Sequence, residues 1–390
     1  MTQRFPSAIR NSRTVVRWTF LMVIVACSGS DMDAGGFPLR AHGNAATSVA
    51  WRFEELPVID PPDGSAGELD SVLSMVADRN GNLYVLLHEP PRVRQYGPDG
   101  KWIRDIGRAG RGPGEFQYGV LGLLDGKLAL HDPSQSRLHL FGLDGKLVAS
   151  HPAPMGQVAR FLPELDGGRR LLVSSFGNPG SQLIPMDGSG HQSPGLPLPQ
   201  IDSVPGWQVT MRLGAAISHG DLPIPFARRR WFDFLPDGRL VHGSTADTAI
   251  AIGRNLGERA LLLSLPTTTR SVTTAESDSV LEDGLAAHKP EWKAALRRQI
   301  RRTDIPTVWP KWLGLRVDDQ ARIWVQYPGA RGRPHRLRAF ALDGTVLADI
   351  PSPPVVLPWS TWRANVLYTA TLDAAGRPII RRFRLLTGGS

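Results

Sequence analysis

VADRNGNLYVLLHEPPRVRQYGPDGKWIRDIGRAGRGPGEF, residues 76–116, decides the fold, because it is one full structural repeat and much of the remaining chain is a diverged copy of it. Moving forward 45 positions from Leu83, LYVLLHEPPRVRQYGPDGK (83–101) lies over LALHDPSQSRLHLFGLDGK (128–146) without a gap. Arg92 falls on Arg137, Gly97 on Gly142, and Asp99-Gly100-Lys101 on Asp144-Gly145-Lys146. A period in the forties, built of short apolar runs that end at Asp-Gly turns, predicts four-stranded antiparallel blades arranged as a β-propeller.

With strands labelled A to D outward from the channel, the repeat gives A near Val72–Val76, B at Leu83–Leu87, C at Arg92–Tyr96 and D at Trp102–Ile106. Paired turns recur at Asp125-Gly126 and Asp144-Gly145, at Asp166-Gly167 and Asp187-Gly188, at Asp237-Gly238 and Asn255 to Gly257, and at Asp318 to Ala321 and Asp343-Gly344. The last stretch, LYTATLDAAGRPIIRRFRL (367–385), matches strands B and C with no D after it. An unpaired edge invites aggregation, so the run VAWRFEEL (49–56) is expected to supply the missing strand and close a ring of six blades.

On these residues the chain resembles the six-bladed propellers of the NHL and TolB-like superfamily, especially bacterial lipoproteins of that form. The resemblance is carried by Asp78-x-x-Gly81-Asn82-Leu83-Tyr84-Val85, by the linker Gly107–Phe116 and by the 367–385 stretch. It brings no catalytic motif with it. Because related propellers include metal-dependent lactonases and a zinc lyase, it implies a metal-dependent hydrolase or lyase at the channel mouth as the alternative to a binding protein.

Residues 1–26 hold Arg4, Arg10, Arg13 and Arg17, no acidic residue, and the apolar run Trp18–Ala26. That pattern reads as a secretory signal, and the run is far shorter than the ~20 residues a bilayer span needs. Ile24-Val25-Ala26-Cys27 has the lipobox form, so Cys27, the single cysteine, is expected to carry a lipid. Ser28 in the next position resembles lipoproteins sent to the outer membrane. Residues 27–47 then read as a lipidated flexible tether, and 48–390 as the propeller, with a helical insertion over about 272–304. One cysteine permits no intrachain disulfide, so the ring must rest on burial and sheet closure.

The net charge of +9 falls to +5 once the four arginines of the signal are removed. With an exported address, the arginine clusters at 228–230, 297–302, 331–338 and 381–384 point to anionic lipid, polysaccharide or an acidic protein rather than to nucleic acid. Solvated loop arginines are the plainer reading of the same clusters.

In a propeller the A–B and C–D turns share one face, and nearly every Asp-Gly turn above is of that kind. The two long interruptions, 200–230 and 266–310, are D–A connections and should rise from the other face. The second contains the clearest helix, PEWKAALRRQIRR (290–302), in which Trp292, Leu296 and Ile300 share one side; a shorter helix is expected over 276–288. The pair is expected to lie across the channel mouth.

The linker Gly107–Gly114 lacks the Lys-Ser/Thr ending of a phosphate loop. Among the inner strands only Asp233 offers a carboxylate, and none of His88, His131, His219, His242 or His335 has a metal-ligand spacing. No G-x-S-x-G elbow is present, so neither a catalytic residue, a metal ligand nor a cofactor is assigned. Trp207, Trp231, Trp309, Trp312, Trp359 and Trp362 lie in or beside D–A connections, where they serve either as loop core or as anchors for a ligand. The expectation is a lipid-anchored binding or interaction module of the cell envelope, its partner an unknown protein, polysaccharide or small molecule. The candidate contacts are His88, Glu89, Arg108, Arg111, His131, Asp132, Trp309, Trp312 and Arg331.

Overall fold

The structure is a computed structural model that describes residues 38–39, 51–61, 64–65, 67–153, 158–161, 170–174, 182–187, 191, 193–194, 196–197, 205–213, 216–253, 261–286 and 290–388. The signal, Cys27 and the turns at 166–167 and 255–257 lie outside the described residues.

Among the described residues the chain is all-β with two α-helices, and its sheets follow one another in a propeller arrangement. Sheet one comprises Val72–Ala77, Leu83–Leu87, Arg92–Tyr96 and Trp102–Ile106; sheet two comprises Val120–Leu124, Lys127–Asp132, Arg137–Phe141 and Leu147–Pro152. Sheet three runs Val158–Phe161, Arg170–Ser174, Gln182–Met186 and Leu196–Pro197. Sheet four holds Arg230–Phe234, Leu240–Ser244, Ala249–Gly253 and Leu261–Ser264, and sheet five Gly314–Val317, Ile323–Tyr327, Arg336–Phe340 and Val346–Pro351. The last sheet has Thr361–Arg363, Val366–Leu372 and Pro378–Leu386, with Arg52–Ile59 paired antiparallel to the last of these.

Six like blades were expected; five sheets have the four strands of a blade, and sheet four has five. The extra strand is Pro38–Leu39, which adds parallel to Leu262–Leu263. Two residues of the segment read as a free tether are therefore paired with the outer edge of sheet four.

The seams explain why strand B is apolar throughout. Leu83, Val85 and Leu87 pack toward Tyr368 and Ile380 of the last sheet, whereas Tyr84 and Leu86 face Leu121, Leu128 and Leu130 of sheet two. Successive side chains of a strand point to opposite faces, so a sheet between two neighbours buries both parities. In sheet five Ile323, Val325 and Tyr327 join the core shared with sheet four, and Trp324 joins that shared with the last sheet. A further core of Leu124, Leu138, Leu140 and Met186 joins sheets two and three.

In three of the sheets an aspartate opens a turn between adjacent strands and holds it together. Asp78 accepts from the backbone N–H groups of Asn80 and Asn82 at 2.8 and 2.9 Å and from the Asn82 amide at 2.8 Å. Asp318 does the same for Gln320 and Arg322, and its second oxygen takes the Arg322 Nε and Trp324 Nε1 protons at 2.5 and 2.7 Å. Asp373 repeats the pattern with Ala375 and Arg377.

The described parts of the two long interruptions meet each other. The first folds as a hairpin, Gly206–Leu213 and Ala216–Pro223. The second forms α1 (Thr274–Ala286) and α2 (Pro290–Gln299). Thr273 and Glu276 cap α1 reciprocally: Thr273 Oγ1 accepts from the Glu276 N–H, and the Glu276 carboxylate accepts from the Thr273 N–H at 3.0 Å. The helices bury Leu281, Leu285 and Leu296 against Trp207, Val209 and Leu222 of the hairpin. Their arginines are largely spoken for: Arg297 pairs with Glu282, Arg302 with Asp278 and Arg301 with Asp304. That outcome favours solvated, paired loop arginines over a basic membrane-facing helix.

Candidate functional site

The candidate contacts separate into three places on the face that bears the D–A connections. Around the 107–116 linker, Glu115 gathers its neighbours. Its carboxylate takes Arg108 Nε at 2.8 Å and the N–H groups of Arg111 and Gly112 at 3.0 and 2.9 Å, which holds it below the usual carboxylate range. Gly110, at φ +155°, has no room for a Cβ, which would sit 2.0 Å from Glu115 Oε2. Arg108 and Arg111 extend into solvent from this clamp.

Asp132 fastens the linker to sheet two and is fully buried. It accepts from the N–H of Gln117 at 2.8 Å, from Ser134 Oγ at 2.5 Å and from Gln135 Nε2 at 2.9 Å. Gln135 in turn donates to the Gly110 and Glu115 carbonyls. Between linker and sheet lies a groove of about 410 Å³ lined by Pro113, Gln135, Ser136, Arg137, Ser150, His151 and Pro152. Ser150 Oγ stands 3.0 Å from His139 Nδ1 inside the sheet. Arg137, His151 and Ser136 did not figure among the sequence candidates. The signal was present in the repeat, which places Arg137 on Arg92 at the start of strand C, beside the D–A linker.

His131 is buried at 1% exposure, and among the described residues its Nδ1 has no partner. Burial holds its pKa down at about 4, against a smaller opposing pull from Asp132. It is a core side chain rather than a contact. Because the folded state keeps the ring neutral, its contribution to stability is fully present above the unfolded pKa near 6.5 and is lost as pH falls toward about 4. Wild-type protein is expected to lose about 3 kcal/mol from this group over that interval. Denaturant unfolding of His131→Leu should give a flatter profile there, and equal slopes would remove His131 as the cause.

His88 and Glu89 occupy the B–C connection of sheet one. His88 lies edge-on to Tyr118 at 6.3 Å and 3.9 Å from Glu89, and Glu89 is exposed. At the second insertion Trp309 is enclosed by Arg270 at 4.3 Å, Phe226 at 4.6 Å and His335 at 5.9 Å, with Nε1 3.4 Å from Glu276. It anchors the start of α1. Trp312 is wholly buried and donates to the Asp247 carbonyl, so it belongs to the core. Arg331 is exposed.

Asp233, the carboxylate of the inner strands, is buried and engaged. It accepts from the Val317 N–H at 3.0 Å and from Arg316 at 3.4 Å, joining sheets four and five. Among the described residues no group of three or more His, Cys, Asp or Glu is placed to hold a metal ion. Of the six tryptophans near D–A connections, Trp359 alone among those described is largely exposed, at 53%.

No family model matches the sequence, and no curated protein matches it. Solved structures that resemble it include a member of the DUF4221 family from Bacteroides vulgatus, at 11% identity and TM-score 0.48, covering 87% of this chain and 99% of that one. A Bacteroides fragilis protein, provisionally described as exported, aligns at 11% identity and TM-score 0.47 over 89% and 99% of the two chains. Virginiamycin B lyase from Staphylococcus aureus aligns at 10% identity and TM-score 0.43, over 86% of this chain and 100% of that one.

Proposed function

We propose that the chain is an exported, lipid-anchored propeller of the cell envelope that works as a binding module, and that its ring counts six blades with the five-stranded sheet as one. Closure by residues 52–59 is supported by their pairing with 378–386, which brings the chain's two ends into one sheet. The NHL and TolB-like resemblance and the lipobox at Cys27 support the anchored, extracytoplasmic address.

The observation that carries the binding role is the groove beside the linker. Its volume lies in the range of small-ligand sites, and Arg137, His151, Ser136, Ser150 and Gln135 converge on it as hydrogen-bonding groups. Such a lining suits a hydroxyl-rich or anionic small molecule or a polysaccharide segment. The engaged state of Asp233 leaves the lactonase-type alternative without a free carboxylate on the described inner strands.

One experiment tests both halves. Cys27→Ser protein should leave the membrane fraction, and the soluble form should retain ligands on a glycan and metabolite array that Arg137→Ala with His151→Ala loses. Persistence on the membrane overturns the anchor; an array pattern unchanged by the groove substitutions overturns the site.

A further inference from the structure

A second corner of the same face carries its own chemistry. Arg229 continues the sheet-four ladder beyond its first strand: its N–H donates to Thr245 Oγ1 at 2.9 Å, and its carbonyl accepts from the Thr245 N–H at 2.8 Å. Strand alternation therefore puts Arg229, Trp231 and Asp233 on one side, in that order from the mouth inward. Asp233 is neutralised by Arg316. Arg229 has no such partner among the described residues; burial is the one influence on its guanidinium, and it pushes the pKa down. A cation withdrawn from water without a counter-charge is costly, and an anion arriving beside it would relieve that cost. Lys311, whose N–H donates to the Thr245 carbonyl, brings a second cation to the same turn.

Trp359 faces this corner from the connection between sheet five and the last sheet. Its ring meets Trp231 edge-on, at 5.9 Å and 87°, while just over half of the residue is open to solvent. The exposure is not that of a loose loop. Buried Gln326 donates to Ser352 Oγ at 3.0 Å and to the Val355 carbonyl at 2.9 Å, and accepts from the Leu357 N–H at 3.3 Å. Ser360 Oγ donates to the Leu357 carbonyl at 2.6 Å, and Arg316 donates to the Ser360 carbonyl. Pro358 lies so close over Gly314 that a Cβ there would come within 2.5 Å of its Cδ. An aromatic ring held this firmly loses little further freedom when a flat partner stacks on it. Trp231 Nε1, buried beside it, has no acceptor among the described residues.

We propose that Trp359, Trp231 and Arg229 form a subsite for a carboxylated sugar ring, stacked on Trp359 with its carboxylate at Arg229. The site goes beyond the groove beside the linker, and the two are separated by substitutions that touch one and not the other.

The test uses the soluble Cys27→Ser chain and isothermal titration with oligogalacturonate, with a neutral galactose oligomer of equal length as control. Oligogalacturonate is expected to bind at least roughly tenfold more tightly than the neutral oligomer, and Trp359→Ala and Arg229→Gln should each weaken it by about tenfold or more. Arg229→Lys should retain more affinity than Arg229→Gln. Trp359→Ala removes an exposed ring and should leave the melting temperature unchanged, so its result stands even where an arginine variant folds poorly. Absence of heat at millimolar oligogalacturonate overturns the subsite, as does equal affinity for the neutral oligomer or for the Trp359→Ala protein. Arg298→Gln, at an exposed arginine of α2 outside both sites, should bind as wild type does; an equal loss in that variant assigns the binding to overall charge and overturns this site.

Discussion

Replacing Asp318 with alanine is expected to lower the unfolding free energy by about 4 kcal/mol, read as a lower denaturant midpoint at unchanged slope. Asp318 is 3% exposed and Arg322 is 7% exposed, so the substitution strands a buried guanidinium as well as the Trp324 indole N–H and the turn's own N–H groups. Asp78→Ala breaks the same turn in sheet one, but its partners are neutral: Asn80, Asn82 and the Tyr84 hydroxyl at 3.3 Å. About 2 kcal/mol is expected there. Asp373→Ala should cost less again, because Arg377 stands 41% exposed and water replaces its lost partner. The losses are expected to fall in the order 318, then 78, then 373. Equal losses at all three positions would show that turn geometry, not the buried charge, sets the cost.

That ordering also shows how far the sequence could be read. The Asp-x-x-Gly and Asp-Gly turns were legible because the hydrogen bonds they make are local, two to four residues apart, and the alternating apolar runs between them were legible for the same reason. Helix α2 was legible from Pro290 and the spacing of Trp292, Leu296 and Ile300. The expected helix begins at Glu276, two residues after α1 does, although Thr273-x-x-Glu276 is a capping box in plain view.

The 206–223 hairpin lies in a stretch to which no element is assigned from the sequence. Trp207 and Val209, two apart, bury one face against α1 and α2, which is the period of a strand. What no local pattern contained was the partner of each end group. Asp132 stands at a strand end where a side chain can turn to the mouth or into the seam, and there it accepts from the N–H of Gln117, fifteen residues back along the chain. Trp312 and Trp359 are alike in sequence context, yet one is core and the other open, because only Trp359 lies beyond the edge of the sheet-four and sheet-five seam. The count of like blades failed at sheet four, since a two-residue parallel addition by Pro38–Leu39 has no hydrophobic period to announce it.

Loss of the 48–59 segment is expected to have the largest effect of any change. Its strand covers the edge of 378–386 from Arg52 opposite Leu386 to Ile59 opposite Ile380, and Trp51 and Phe53 pack on Trp324 and Trp362, themselves stacked at 4.7 Å. Arg382 fastens the join from beneath at 2% exposure. Its Nε and Nη2 donate to the Pro57 carbonyl at 3.1 and 2.7 Å, and Nη1 donates to the Pro98 carbonyl of sheet one at 2.8 Å. Gly100 is required there, at φ +87°, because a Cβ would lie 2.6 Å from Arg382 Nη2.

A chain beginning at Asp60 leaves a bare strand edge and an open aromatic seam, so it is expected to self-associate or stay unfolded, and a peptide of residues 48–61 should restore a monomer in size-exclusion chromatography. Arg382→Met, which keeps the bulk and removes the donors, should cost about 3 kcal/mol in the intact chain by leaving two carbonyls dry. If the Asp60 chain is monomeric and melts within a few degrees of the intact one, the pairing of the two ends is incidental and the ring does not depend on it.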